Sequence, residues 1–253
     1  MKKDKIRQIG VILATLVILI TNVISEVIPI KGVMTGSITA KINIYFMPAN
    51  YAFSVWSLIY LGLILYTIYQ ALPAQRSNPK LRSIGWFYIG SCFMISAWMI
   101  SFIRENYLLT MLTMIALLVL LIVVYEKLDV GREVVSRGMR FFVHIPFSLY
   151  LGWITMATIA NISNYLQVQG WSGLGVSPKI WAVVLMVVTI VIAELTAFNR
   201  QDLAYLAVFV WAFIGIAVNH KGVSPVFEAA CVSAAIVIII TIVTLIVRPR
   251  LRN

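Results

Sequence analysis

Residues 48–70, PANYAFSVWSLIYLGLILYTIYQ, form a largely apolar stretch that begins at a proline and carries six aromatic side chains. Its length is that of a membrane-spanning helix, because about 20 apolar residues cross the hydrocarbon core of a bilayer. Leu, Ile and Val alone would satisfy the lipid, so the rings need another explanation. Trp56 and Tyr60 lie one helical turn apart. We interpret them as a wall for a flat ligand.

The composition of the 253-residue chain is that of a membrane protein, with 61% hydrophobic and 11% charged residues. Soluble domains have about 25% charged residues. In a soluble protein, the net charge of +11 would suggest a nucleic-acid partner. Here the basic residues stand between apolar runs, as the positive-inside rule predicts. We therefore expect no nucleic-acid partner.

Eight apolar runs, separated by glycine, proline and charged residues, divide the chain. Runs of this length and composition are typical of membrane spans. We therefore predict an all-α integral membrane protein with about eight transmembrane helices. The runs cover residues 9–28, 48–70, 84–103, 107–125, 139–162, 179–198, 203–219 and 226–247.

Lys and Arg residues fall unevenly on the two sides of these spans. With a cytoplasmic N-terminus, fifteen lie on the inner side and five on the outer side. This asymmetry predicts a multi-pass protein of the cell (cytoplasmic) membrane with both termini in the cytoplasm. The basic start before the first run also fits a signal peptide. The charge asymmetry favours a first helix that is retained.

Motifs of acid–base, nucleophilic and metal chemistry are absent from the sequence. It contains no HExxH, no GxSxG and no phosphate-binding loop. Cys92 and Cys231 are far apart and indicate neither a metal site nor a disulfide framework. We therefore predict a binding protein rather than an ordinary enzyme, and no required cofactor.

The residues around the second and fifth spans carry a more specific signal. Pro48 precedes Trp56 by eight residues. In the fifth span, Trp153, Ala157 and Asn161 follow each other at four-residue intervals. At 3.6 residues per turn these three lie along one stripe, so a ring, a gap and an amide line one groove.

On these residues the chain resembles the TspO/MBR family of tryptophan-rich sensory proteins and translocator proteins. Tyr45 and Met47 occupy the positions of the Trp and first Pro that open the family's second helix. Tyr60 matches the aromatic residue one turn after Trp56. Trp98 matches the aromatic residue of the third helix, while Ile95 replaces its Asn.

The chain also differs from the family pattern. Pro146 precedes Trp153 by seven residues rather than four, and residues 107–125 contain no Asp or Glu. The chain continues for some ninety residues beyond the usual end of the family. We therefore predict a TspO/MBR-like five-helix domain at 1–165 and a three-helix transmembrane extension at 166–253.

The resemblance implies a five-helix bundle whose pocket opens towards the loop at residues 29–47, which would act as a lid. Members of the family bind porphyrins, sterols and other flat hydrophobic molecules, and some are reported to promote porphyrin breakdown. The implied ligand is therefore a porphyrin or another haem-like tetrapyrrole, or a sterol-like molecule. Membrane lipid and a homodimer partner are further implied contacts. The predicted ligand-binding residues are Trp56, Tyr60, Trp98, Trp153, Ala157 and Asn161.

The sequence is also compatible with structural roles for these residues and with other functions of the protein. The three tryptophans can serve helix packing, and Asn161 can form an interhelical hydrogen bond. Glu194 fits either a structural contact, with Arg200 or the interface, or a proton relay. His144 fits a structural role better than an axial ligand for porphyrin iron. The alternatives to a binding protein are a proton-coupled carrier of an apolar solute and a membrane enzyme acting on lipid or porphyrin.

Overall fold

The computed structural model describes residues 2–27 and 44–247 and confirms an all-helical membrane protein. Seven of its helices are long and apolar enough to cross a membrane, and the helix at Leu203–Asn219 is shorter and apolar. The part of the chain that is described contains no strand. The helices are α1 (Lys2–Val27), α2 (Val55–Ala71, preceded by a 3-10 turn at Asn50–Ser54), α3 (Pro79–Ile103), α4 (Tyr107–Leu128), α5 (Arg137–Val168), α6 (Pro178–Arg200), α7 (Leu203–Asn219) and α8 (Val226–Val247).

Side chains that accept hydrogen bonds from the first turn begin several of these helices. Asn78 accepts from the N–H of Lys80 at 3.0 Å, directly before Pro79 at the first position of α3. Asn106 accepts from the N–H of Leu109 at 3.1 Å and begins α4 in the same way. Such caps satisfy N–H groups that have no partner within the helix. They place the turns between helices at these residues.

The first five helices form a closed ring in the order α1, α3, α4, α5 and α2. Tyr66, Tyr88 and Phe147 meet edge to face at its centre, with ring centroids 4.9 to 5.7 Å apart. The Thr15 hydroxyl lies 2.7 Å from the hydroxyls of both Thr67 and Tyr88. Aromatic packing and buried hydrogen bonds thus connect α1, α2, α3 and α5.

Arg7 of α1 is buried, although its sequence position suggests an exposed interfacial charge. Its guanidinium donates to the carbonyl oxygen of Leu81 at 2.9 Å and to that of Arg76 at 3.2 Å. A side chain at Gly85 would place its Cβ 2.7 Å from the Arg7 side chain. The glycine therefore gives the arginine room to bind both the loop between α2 and α3 and the first turn of α3.

The last three helices pack onto the ring through α7, which lies against α5, while α8 packs against α6 and α7. Arg200 at the end of α6 forms an ion pair with Glu126 of α4 and lies over the Tyr125 ring, 5.5 Å from its centroid. Among the described residues, it forms no ion pair with Glu194, which is exposed. That suggested structural contact of Glu194 is therefore wrong. The boundary between residues 165 and 166 stays a prediction.

Asp202 begins α7 and is 7% exposed. Its carboxylate accepts from the Tyr125 hydroxyl at 2.8 Å and from the N–H groups of Ala204 and Tyr205 at 3.1 and 3.2 Å. Burial raises the pKa of this carboxyl above its ordinary value, because the charged form loses its hydration. The cap thus holds α7 against α4, and ionisation of Asp202 costs folding free energy.

We predict that Asp202→Asn removes a pH dependence of stability. A pKa raised in the folded state means that the stabilisation is complete below the ordinary carboxyl pKa and is lost as pH rises through the folded value. The asparagine keeps a capping oxygen but does not titrate. Melting temperatures in detergent should therefore fall less for the variant than for the wild type as pH rises from 4 to 8. Asp202→Ala, which lacks the cap and does not titrate, should lie about 1 kcal/mol below Asp202→Asn at all pH values. Parallel curves for the wild type and Asp202→Asn would contradict this prediction.

Candidate functional site

A cavity of about 560 Å³ lies at the end of the ring where α1 and α3 end and α2 and α4 begin. Its described lining comes from the first five helices, from α7 and from the entry segment, which we define as residues 44–54. No charged residue belongs to this described lining. The lining residues are Asn22, Phe46, Met47, Pro48, Asn50, Phe53, Trp56, Ser57, Tyr60, Trp98, Met99, Phe102, Met114, Trp153, Met156, Ala157, Ala160, Asn161, Asn164 and Ala212.

Aromatic rings from three helices surround this cavity. Trp56 stacks on Tyr60 of α2, with centroids 5.4 Å apart and planes inclined by 23°. Trp98 stacks on Phe102 of α3 at 5.3 Å and 18°. All six residues predicted as ligand-binding therefore lie around one space. Their binding of a ligand stays a prediction.

Trp153 of α5 presents the third ring and is 3% exposed. It meets Phe53 of the entry segment edge to face, with centroids 5.6 Å apart. Within the described ranges, the indole N–H groups of Trp56 and Trp153 donate to no protein acceptor. Two hydrogen-bond donors at the cavity are thus available in addition to the ring faces.

Asn161 makes the interhelical hydrogen bond that its position suggests. Its Oδ1 accepts from the Trp98 indole N–H at 3.1 Å, and its Nδ2 donates to the carbonyl oxygen of Ala157 at 2.8 Å. The amide therefore fixes the orientation of the Trp98 ring at the cavity wall.

A family comparison is consistent with this architecture. The family model described as TSPO-like protein matches residues 8–244, which is nearly the whole chain. The chain belongs to the TSPO-like family. The match includes α6, α7 and most of α8, and thus extends beyond the residues on which the resemblance in sequence rests. Among curated proteins and among solved structures, no match was found.

In this TSPO-like protein, α7 holds the entry segment in place by hydrogen bonds to the backbone of that segment. The N–H of Ala49 donates to the carbonyl oxygen of Gly215 at 2.9 Å, and the Trp211 indole N–H donates to the carbonyl oxygen of Ala52 at 2.9 Å. Asn219 adds a bond from its Nδ2 to the Met47 carbonyl oxygen at 3.0 Å. The wall formed by the entry segment is therefore positioned by α7.

Gly215 allows α7 and the entry segment to approach closely. A Cβ built at this position would lie 2.9 Å from the Cβ atoms of both Pro48 and Ala52. Next to this contact, Trp211 meets Tyr51 edge to face, with centroids 5.3 Å apart. Tyr51 thus packs against α7.

The structure adds residues that the sequence did not single out. Asn164 was detectable, because it follows Asn161 by three residues and so lies on the same helical face. Asn22 and Ala212 come from helices to which no site residue was assigned. Three methionines of the lining, Met99, Met114 and Met156, give no positional signal in the sequence. Their flexible thioethers suit a cavity that adapts its shape to a ligand.

Other predicted elements lie elsewhere in the molecule. Of the predicted lid, residues 29–43 are outside the described residues, while Phe46 and Met47 line the cavity. His144 is 6% exposed and lines a separate cavity of about 220 Å³ that also contains Asp202. Glu194 is exposed on α6, a helix that provides none of the described lining.

We predict that Gly215→Ala destabilises the protein and weakens binding of a ligand in the cavity. The added Cβ forces α7 and the entry segment apart, and overpacking of this kind costs about 1–3 kcal/mol. Gly90→Ala is the matched control, because its Cβ would meet only the Leu120 side chain, at 3.4 Å. Melting temperatures should fall for the first variant and stay close to wild type for the second. Equal values for both variants would show that α7 does not constrain the entry segment.

Proposed function

We propose that this TSPO-like protein binds a flat hydrophobic molecule, a tetrapyrrole or a sterol-like compound, in the cavity. The observation that carries the proposal is the convergence of three aromatic surfaces on one space: Trp56 with Tyr60, Trp98 with Phe102, and Trp153. Ring faces contribute about 0.5–1.5 kcal/mol for each stacked partner beyond the area that they bury. A planar ligand can contact more than one of these surfaces.

The dimensions and chemistry of the cavity support a ligand of this size. A volume of about 560 Å³ lies within the range of about 300–1,000 Å³ that is typical of small-molecule sites. Ala157 and Ala160 leave space between the rings, and the methionines can adjust to an irregular outline. The indole N–H groups of Trp56 and Trp153 would bind polar atoms at the ligand edge.

The proposed function is binding that serves sensing, transport or turnover of the ligand. No charged side chain faces the cavity among the described residues, so general acid–base catalysis by its walls is not part of the proposal. We further propose that the protein resides in the cytoplasmic membrane with both termini in the cytoplasm. The excess of Lys and Arg on the side of the N-terminus supports this orientation.

We predict that a porphyrin binds the purified protein with micromolar affinity and that Trp153→Ala weakens this binding about tenfold. Loss of a stacking face worth about 1.4 kcal/mol corresponds to that factor. The measurement is a titration of the porphyrin absorbance band in lipid nanodiscs, with empty nanodiscs subtracted. Trp86→Ala is the matched control, because Trp86 is 60% exposed and outside the described lining.

A second variant distinguishes binding in the cavity from binding elsewhere on the membrane-embedded surface. Ala157→Phe fills the space between the rings and should abolish saturable binding if the ligand occupies the cavity. Saturable binding that is equal in the wild type, Trp153→Ala and Ala157→Phe would refute the proposed site. Absence of saturable binding to the wild type by both a porphyrin and a sterol would refute the proposed function.

A further inference from the structure

We infer that the cavity selects an uncharged ligand and that the amide of Asn164 binds a polar group of this ligand. The inference rests on the proposed function and narrows its ligand class. Two independent observations carry it. One is the absence of charge from the whole described lining. The other is a buried amide that has no protein partner.

The described lining offers hydrogen bonds but no charge. Asn22, Asn50 and Asn164 contribute amides, and Ser57 contributes a hydroxyl. Such groups satisfy carbonyl, ether, hydroxyl and ring N–H groups of a ligand. A carboxylate placed among them loses its hydration without gaining a cation, which is far more costly than burial of a neutral polar group. The described surface therefore discriminates against an ionised ligand.

Asn164 has free hydrogen-bonding capacity in a buried position. It is 8% exposed, and among the described residues no hydrogen bond joins its side chain to another group. Asn161, one turn away, already binds the Trp98 indole and the Ala157 carbonyl. The amide atoms of Asn164 keep accessible surface at the cavity. A ligand can therefore hydrogen-bond to them without displacing a protein group.

The two amides therefore have different parts in the site. Asn161 is a positioning residue, because it fixes the Trp98 ring through an existing hydrogen bond. Asn164 is the binding residue, since its donor and acceptor are both free within the described part of the chain. The spacing of three residues puts both amides on one helical face. A ligand stacked on Trp98 would thus have its edge near Asn164.

The test compares two probes that share one ring system and differ in charge: protoporphyrin IX, which carries two carboxylates, and its dimethyl ester. Dissociation constants are measured with the wild-type protein in zwitterionic nanodiscs at pH 7, after subtraction of partitioning into empty nanodiscs. We expect the ester to bind at least about tenfold more tightly than the acid, since only the acid would bury unpaired charge. This ratio needs no variant and is independent of folding effects.

Asn164→Leu tests the amide itself. It replaces the amide with an apolar side chain that has the same number of heavy atoms, and it should weaken binding of the ester about five- to tenfold, the factor expected for one neutral hydrogen bond. Asn199→Leu is the matched control, because Asn199 is exposed on α6 and its amide donates only to the Leu195 carbonyl oxygen, at 2.8 Å, among the described residues. Binding of the ester to this control should equal that of the wild type.

The outcomes distinguish the inference from the proposed function. Equal or tighter binding of the acid would overturn the selection for an uncharged ligand and leave the proposed function intact. An unchanged affinity of folded Asn164→Leu for the ester would overturn the assignment of Asn164. If neither probe binds the wild type saturably, the proposal that the protein binds tetrapyrroles is refuted. The inference that rests on this proposal is then refuted as well.

Discussion

Peptide groups of the entry segment, before α2 begins, depend on α7 for their hydrogen bonds. A chain that spans a membrane must satisfy its backbone polar groups internally, and helices do so by their own geometry. Residues 47–49 lie outside any helix, so they need partners from elsewhere. Gly215, Trp211 and Asn219 of α7 provide them for Ala49, Ala52 and Met47. The irregular backbone is thus stable because another helix lies directly against it.

The cavity follows from this arrangement. If the entry segment were helical, Phe46, Met47 and Pro48 would continue α2 rather than bend across the end of the ring. Because α7 holds the segment in place, Phe53 reaches the edge of Trp153, and Trp56 begins the aromatic surface of α2. Ala212 of α7 lines the same space. The predicted three-helix extension therefore contributes to the wall, whether or not it forms a separate folding unit.

Much of the fold is predictable from sequence, because hydrocarbon length and composition constrain each span independently. All eight helices overlap their predicted runs, although α1 starts at Lys2, where its polar first turns are held by the Asp4–Arg82 ion pair. The resemblance to the TspO/MBR family allowed six residues from distant parts of the sequence to be predicted together, and all six line one cavity. The contacts of α7 with the entry segment were not predictable. They join the backbone of the entry segment to groups more than 150 residues away, as in the bond from the Trp211 indole to the Ala52 carbonyl oxygen, and leave no periodic pattern.

The structure is needed to assign roles to the polar side chains of the cavity, even where their spacing in the sequence already puts them on one helical face. Asn161 and Asn164 have the same side chain on the same helical face, and sequence alone favours Asn161 because it completes the stripe with Trp153. Hydrogen bonding reverses this preference. An amide whose donor and acceptor are used within the protein can orient a neighbour, as Asn161 orients Trp98. An amide without a protein partner can instead bind a ligand. In the proposed site, Asn164 would therefore select the polar group of the ligand, whereas the rings would select a flat ring system.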